Sequence, residues 1–370
     1  MRRRTFLTAT AGVAGTALAG CITQTDDGNG GDDGDDVETL TTPESFEGEL
    51  TVATYSAFVD SPSSSPGQWV KERFEEEFPD VTLNWKVAEN GVNEYVQRAG
   101  RDASIDADVY LGLNVDDLVV ADRELDDSLF MSSDVYELEN GGAVKDDLRF
   151  DPQSRAIPYD TGYIALVYDE NEVDEPTSLD DLTADPYDGT LLAQNAQDSD
   201  PGRAFMLWTV DGYGEDGYLD YWRDLVDNDV RISSSWSDSY DAYSQGERPM
   251  VVSYSTDQVY ANRYDQDMSR HQVAFPNGQG YANPEGMAVF EASDSPALGF
   301  EFLDFVLSPA VQGEIAVRNV QLPATDHADL DSEFDEYALE PDETVMFDYE
   351  TLSGSLDGWV SEWAREIAGN

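Results

Sequence analysis

The chain has 370 residues, with 20 Lys and Arg against 78 Asp and Glu, giving a formal net charge of −58. Acidity on that scale, spread along the whole length, argues against nucleic-acid binding, which depends on basic side chains neutralising phosphates. Hydrophobic residues make up 40% and aromatics 11%, so the chain is no solvated acidic tail and has material for a core.

Lysine is confined to Lys71, Lys86 and Lys145. In dilute salt such a surface repels itself and opposes compaction. Molar salt shortens the Debye length to about 3 Å and removes most of that repulsion. The composition therefore reads as that of a halophile's protein, of archaeal type. It describes the solvent, not the ligand.

The chain opens Met1-Arg2-Arg3-Arg4-Thr5-Phe6-Leu7 and runs through a weakly apolar stretch to Leu18-Ala19-Gly20-Cys21. A basic start, a short apolar region and small residues before a cut site make residues 1–20 a secretory signal. The Arg3-Arg4-x-Phe6-Leu7 order resembles the twin-arginine type, which exports folded proteins. Leu18-Ala19-Gly20-Cys21 resembles a lipobox, which makes Cys21 the lipid-bearing first residue. The apolar run is too short and too rich in Gly and Thr to span about 30 Å of hydrocarbon. Cys21 is the only cysteine, so no disulfide framework is expected. Residues 21–47 read as a lipidated, acidic, Gly-rich tether, placing the protein on the extracellular face of the cell membrane.

About 350 residues remain after the signal, enough for two domains. Leu50 to Tyr55 reads as a first strand ending in a polar loop, and Gly67 to Phe78 as a helix with Trp69, Val70, Phe74 and Phe78 on one face. Val81 to Val87 alternates as a strand. Glu89-Asn90-Gly91 then leads into a helix carrying Val92, Tyr95, Val96 and Ala99, followed by a buried strand from Ala107 to Leu113. This order predicts an α/β domain with a largely parallel sheet. A second region starts near Ile157, with a strand from Tyr163 to Tyr168. Asp198-Ser199-Asp200-Pro201-Gly202 predicts the N-terminus of a helix from Arg203 to Val210, with proline at its first position. Leu225 to Trp236 and Met250 to Tyr254 supply further strand or helix. Pro296 to Leu307 and Ala310 to Val317 form a helix pair broken by Ser308-Pro309. The last helix sets Trp359, Trp363 and Ile367 in one stripe, which reads as core packing. No internal repeat is visible.

Metal or nucleophilic chemistry would draw on His and Cys, but His271 and His327 are the only histidines and have no ligand spacing around them. No G-x-S-x-G elbow or P-loop occurs. Pairs of carboxylates carry no information among 78 acids. What remains is a set of aromatics on loops together with helix starts. Tyr55, Trp236, Tyr254 and Tyr260 are each flanked by small polar residues; any one of them alone reads more readily as packing than as a ligand wall. The helix starts at Asn90-Gly91 and Ser199-Asp200 offer backbone N–H groups to an anion, although Asp200 would repel a phosphate.

The order of these segments resembles the periplasmic thiamine-binding proteins of thiamine ABC importers, from Leu50 to Trp363. The matching stretches include Leu50-Thr51-Val52-x-Thr54-Tyr55-x-x-Phe58, Glu89-x-Gly91-Val92, Asp108-Val109-x-Leu111-Gly112-Leu113, Pro158-x-Asp160-x-Gly162-Tyr163, Ser199-x-Pro201-Gly202, Trp236-Ser237-x-x-Tyr240, Ser253-Tyr254-x-Thr256 and Ser361-Glu362-Trp363. The resemblance implies an α/β, two-lobed, periplasmic-binding-protein-like fold of type II, with hinge-linked lobes that each hold a mostly parallel sheet. It divides the chain into 48–155 with 275–370 as one lobe and 156–274 as the other. It implies capture of thiamine or its phosphates, closure by hinge bending, and delivery to ABC permease and ATPase subunits, with no catalysis, cofactor or metal, by a monomer. Asn90, Gly91, Ser199, Asp200, Trp236 and Tyr254 fall where that family contacts its ligand, and Tyr55 and Tyr260 read as further wall residues. A cationic thiazolium and a flat aminopyrimidine suit aromatic faces, each cation–π contact being worth about 0.5–2 kcal/mol. Where the family has an aromatic before its late proline, this chain reads Asn319-Val320-Gln321-Leu322-Pro323, so a stacking partner is missing there. Two other readings stay open: a ferric-iron or other anion binder of the same fold, and a secreted thiaminase-like enzyme, which would need a nucleophile besides Cys21.

Overall fold

The computed structural model describes residues 46–60 and 65–368. The signal over 1–20 and Cys21 lie outside the described residues, as does nearly all of the tether. The tether's last two residues are described, and there Phe46 already packs edge-on against Phe78, with ring centroids 5.9 Å apart. Packed structure thus begins at the end of the stretch expected to be a tether.

The first part runs β1 (Gly48–Thr54), α1 (Ser56–Val59), α2 (Gly67–Glu77), β2 (Val81–Val87), α3 (Asn93–Ala99), β3 (Val109–Leu113) and α4 (Val115–Glu124). β1 pairs in parallel with both β2 and β3. The apolar face of α2 is buried through Val70 and Phe74. Phe74 meets Phe302 and Phe305 of a later helix at 5.3 and 5.0 Å, so this core is closed by residues more than two hundred positions away. The helix expected to start at Asn90-Gly91 begins at Asn93 instead, because Gly91 takes φ +55° and holds a turn.

The second part contains β4 (Ile157–Tyr168), β5 (Leu191–Gln194), α5 (Asp200–Tyr213), α6 (Tyr218–Asp227), β6 (Arg231–Ser233), α7 (Trp236–Ser244), β7 (Met250–Tyr254), α8 (Asp257–Arg263) and β8 (Gln272–Ala274). β5 pairs in parallel with β6 and β7. α5 starts at Asp200, three residues before the expected start, and takes Pro201 within its first turn. β4 is buried along all twelve residues, as a strand covered on both faces must be.

The chain ends with β9 (Gln279–Val289), α9 (Pro296–Val306), α10 (Pro309–Asn319), β10 (Leu322–Pro323), α11 (Ser332–Tyr337), β11 (Glu343–Val345) and α12 (Tyr349–Trp363). The aromatic stripe of α12 is core, as read from sequence: Trp363 is fully buried and meets Trp222 of α6 edge-on at 5.1 Å.

The sheet order is β2-β1-β3-β9-β4-β7-β5-β6. It holds two parallel groups, β2-β1-β3 and β7-β5-β6, joined through β9 and β4. These two strands are antiparallel to each other, β9 is antiparallel to β3, and β4 is antiparallel to β7. The expected mostly parallel sheets are therefore each completed by an antiparallel crossing strand. Two lobes share those crossing strands, which gives the two-lobed, type II α/β architecture. Among the described residues no helix is long and apolar enough to cross a membrane.

Candidate functional site

In an open α/β sheet, ligands bind in the crevice beyond the carboxyl ends of the parallel strands. Seven of the eight residues singled out from sequence sit there. Tyr55 follows β1, Asn90 and Gly91 follow β2, Ser199 and Asp200 follow β5, Trp236 follows β6, and Tyr254 ends β7. Tyr260 lies instead within α8, stacked at a tilt on Tyr264 with centroids 4.6 Å apart. Trp236 and Tyr254 belong to regular elements rather than to loops, because local polar neighbours do not break a helix start or a strand end.

The two parallel groups supply facing aromatics over glycine floors. A Cβ on Gly112, which has φ +99°, would lie 2.6 Å from the Tyr55 ring. A Cβ on Gly162 would lie 2.6 Å from the Tyr254 ring and 2.6 Å from Gln321 Oε1. Both rings therefore rest on bare backbone. Trp236 stacks on Tyr240, one helical turn along, at 4.9 Å and 26°, and meets Tyr254 at 6.2 Å. Its Nε1 donates to Ser253 Oγ at 3.0 Å. Behind this wall the Tyr240 hydroxyl donates to Asp257 Oδ1, and His271 Nδ1 lies 2.6 Å from Asp257 Oδ2. This buttress was not legible as part of a site, since His271 is seventeen residues from the nearest wall aromatic on β7 in sequence.

Between the aromatic faces the crossing strands present acids. Asp160 of β4 stands opposite Glu285 of β9 in the strand register. The Tyr159 hydroxyl donates to Glu285 Oε2 at 2.6 Å, and the Asn319 amide donates to Asp160 Oδ2 at 2.8 Å and to the Tyr55 hydroxyl at 2.9 Å. Burial, followed by the Glu285 charge, pushes the Asp160 carboxyl well above its ordinary range. Burial pushes Glu285 up as well, against the hydrogen bonds from Tyr159 and Tyr55. Asn319 thus occupies the region where an aromatic was missed, tying Tyr55 to the acids instead of stacking. Val320 beside it adopts φ +55°, a left-handed turn that a β-branched residue rarely takes.

Toward the helix starts, a narrow crevice is lined by Val115, Asp116, Asp200, Arg203, Tyr281 and Pro284. Arg203 of α5 pairs with Asp116 of α4, linking the two lobes, and its Nη2 donates to Gln197 O at 3.2 Å. Asp200 is open to solvent yet desolvated by the crevice walls, which, with the Asp116 charge, raise its carboxyl against the pull of Arg203. Ser199 caps α5 from a buried position, and its Oγ has no hydrogen-bond partner. Gly91 sits beside the Tyr110 hydroxyl, 3.5 Å from where a Cβ would stand. Asn90 is exposed at the rim, apart from the aromatic walls.

The strand ends and the crossing strands thus bring aromatic faces and two acids together, an arrangement suited to a flat cationic molecule. Among acids, sequence had no means of singling out Asp160 or Glu285. Asp160 lay inside a quoted motif, Pro158-x-Asp160-x-Gly162, but without a role.

A family profile described as bacterial extracellular solute-binding protein matches residues 69–341. The chain is 30% identical over 322 residues to the thiamine-binding periplasmic protein of Salmonella typhimurium, covering 86% of this chain and 93% of that protein. It is 24% identical to the thiamine-binding periplasmic protein of Haemophilus influenzae, covering 86% of this chain and 92% of that one. Among solved structures it is similar to a periplasmic thiamin binding protein, with a TM-score of 0.70 and 28% identity over 87% of this chain and 96% of that chain. A ferric binding protein from Campylobacter jejuni shares the fold at a TM-score of 0.68 and 15% identity, covering 86% of this chain and 99% of that one. With the fold, the crevice and these relatives in agreement, the chain belongs to the bacterial extracellular solute-binding protein family.

Proposed function

We propose that this protein captures thiamine or its phosphates outside the membrane and delivers them to the permease and ATPase subunits of an ABC importer, without altering them. The observation that carries the reading is the pair of aromatic faces over an acidic floor: Tyr55 on Gly112, and Trp236 with Tyr254 over Gly162, around Asp160 and Glu285. A thiazolium cation gains from both the ring faces and the carboxylates, and an aminopyrimidine stacks on the same faces. Ser199, Asp200, Asn90 and Gly91 form the opposite end, where the hydroxyethyl group or its phosphate ester is placed. Tyr260, on α8 against Tyr264, stays outside this wall.

The proposed lobes are 48–155 with 275–370 and 156–274, closing about β4 and β9. The Arg203–Asp116 ion pair bridges α4 and α5, one from each proposed lobe. Lipid attachment at Cys21 would keep the monomeric receptor beside its importer.

Calorimetric titration in molar salt with thiamine, its monophosphate and diphosphate, and ferric citrate tests the reading. Binding of at least one thiamine form in preference to ferric citrate is expected. Failure of every thiamine form to bind overturns it.

A further inference from the structure

The strand crossing holds a charge imbalance whose consequence rests on the thiamine reading and deepens it. Asp160 and Glu285 are register partners at a bulge between β4 and β9. Asp160 is 1% exposed, and its Oδ1 has no hydrogen-bond partner. Among the described residues no Lys, Arg or His acts on either carboxyl group. The groups facing the pair from neighbouring elements are Tyr55 after β1, Tyr110 of β3, Tyr159 of β4, Tyr254 of β7 and Asn319 of α10, all neutral at ordinary pH. Asp200 of α5 adds a third negative charge to the field at Glu285. Arg203, the nearby cation, is engaged by Asp116.

A buried carboxylate, Asp160, facing a half-buried one, Glu285, without a cation does not ionise alongside it; such a pair keeps a proton until something positive replaces it. We infer that Asp160 and Glu285 are the counter-charge for the cationic ring of the ligand, and that the empty site keeps one proton on the pair, which the incoming cation displaces to bulk water. One positive charge enters and one leaves, so the net charge of the site is conserved. The thiazolium carries a permanent charge, so any pH dependence of its binding between about pH 6 and 8 belongs to the protein. Affinity rises with pH, by up to about tenfold per unit while the pair still has to lose its proton.

The test is calorimetry of the wild-type chain with thiamine in molar salt, in buffers of different protonation enthalpy. Release of about one proton per thiamine bound, with affinity climbing as pH rises, is expected. Thiamine binding with no proton release and a flat pH profile overturns this inference and leaves the thiamine reading standing. No thiamine binding overturns both. The shape-conserving variants Asp160→Asn and Glu285→Gln should each abolish proton release and weaken thiamine about tenfold or more. Both should weaken thiamine more than they weaken a neutral analogue in which carbon replaces the charged ring nitrogen. Equal weakening of the charged and neutral ligands would make the pair structural and overturn the assignment.

Discussion

Replacing Trp236 with alanine isolates the aromatic wall from the rest of the site. The indole is half-buried, stacks on Tyr240 at 4.9 Å, meets Tyr254 at 6.2 Å and donates to Ser253 at 3.0 Å. For the ligand, one face of the sandwich disappears: about 1–2 kcal/mol of cation–π attraction in a desolvated crevice, with a further 0.5–1.5 kcal/mol or so of ring stacking. The sum, about 1.5–3.5 kcal/mol, corresponds to roughly a ten- to several-hundredfold loss of thiamine affinity. For the fold, the variant loses one hydrogen bond and one stacked pair on a half-buried residue, which costs about 1–2 kcal/mol of stability. α7 keeps its start, because its cap comes from Ser235, whose Oγ accepts from Asp238 N at 3.1 Å. Titration calorimetry in molar salt, beside thermal unfolding followed by circular dichroism, measures the two effects separately. Trp236→Phe, which keeps a face, should recover most of the affinity. A cooperatively folded Trp236→Ala protein that binds thiamine within twofold of wild type would refute the wall.

Gly162→Ala places a methyl group 2.6 Å from the Tyr254 ring, so the ring must move; a stability loss of about 1–3 kcal/mol and weaker thiamine binding are expected, and unchanged affinity would show that Tyr254 is not part of the site. Arg203→Met removes the cation paired with Asp116; with the Arg203 and Asp116 side chains 24% and 17% exposed, a loss of about 1–3 kcal/mol and a larger ligand-free radius of gyration by small-angle scattering are expected, and an unchanged radius would show that the pair does not hold the lobes together. Asp160 and Glu285 are raised above their unfolded values, so their stabilising contribution is complete below about pH 4 and is lost as pH rises through their folded titration. Denaturant unfolding of the ligand-free protein should show stability falling over that range relative to Asp160→Asn, and parallel profiles for the two proteins would contradict the shared titration.

Elements set by local periodicity were legible in the sequence. β2 runs from Val81 to Val87 as its alternation required, and α2 ends within one residue of the expected position. Boundaries failed where contacts from afar override the local signal. The strand expected from Tyr163 starts six residues earlier, at Ile157, and takes in Pro158 and Gly162, because β9 and β10 pair along that stretch and the Tyr254 ring needs bare backbone at Gly162. Tyr55, Trp236 and Tyr254 could be picked out because aromatics among small polar residues are uncommon, and the strand ends then brought them to one crevice.

The sequence by itself determined the acidic charge of the chain, the α/β order, and the aromatic faces. Only the tertiary structure decided which acids matter. Each of 78 carboxylates looks alike along the chain, since charge carries no periodicity that separates a screened surface group from a buried one. The antiparallel crossing of β4 and β9 makes that separation: it sets buried Asp160 opposite half-buried Glu285, with no cation acting on either among the described residues, and desolvation there turns two ordinary acids into the floor of a site.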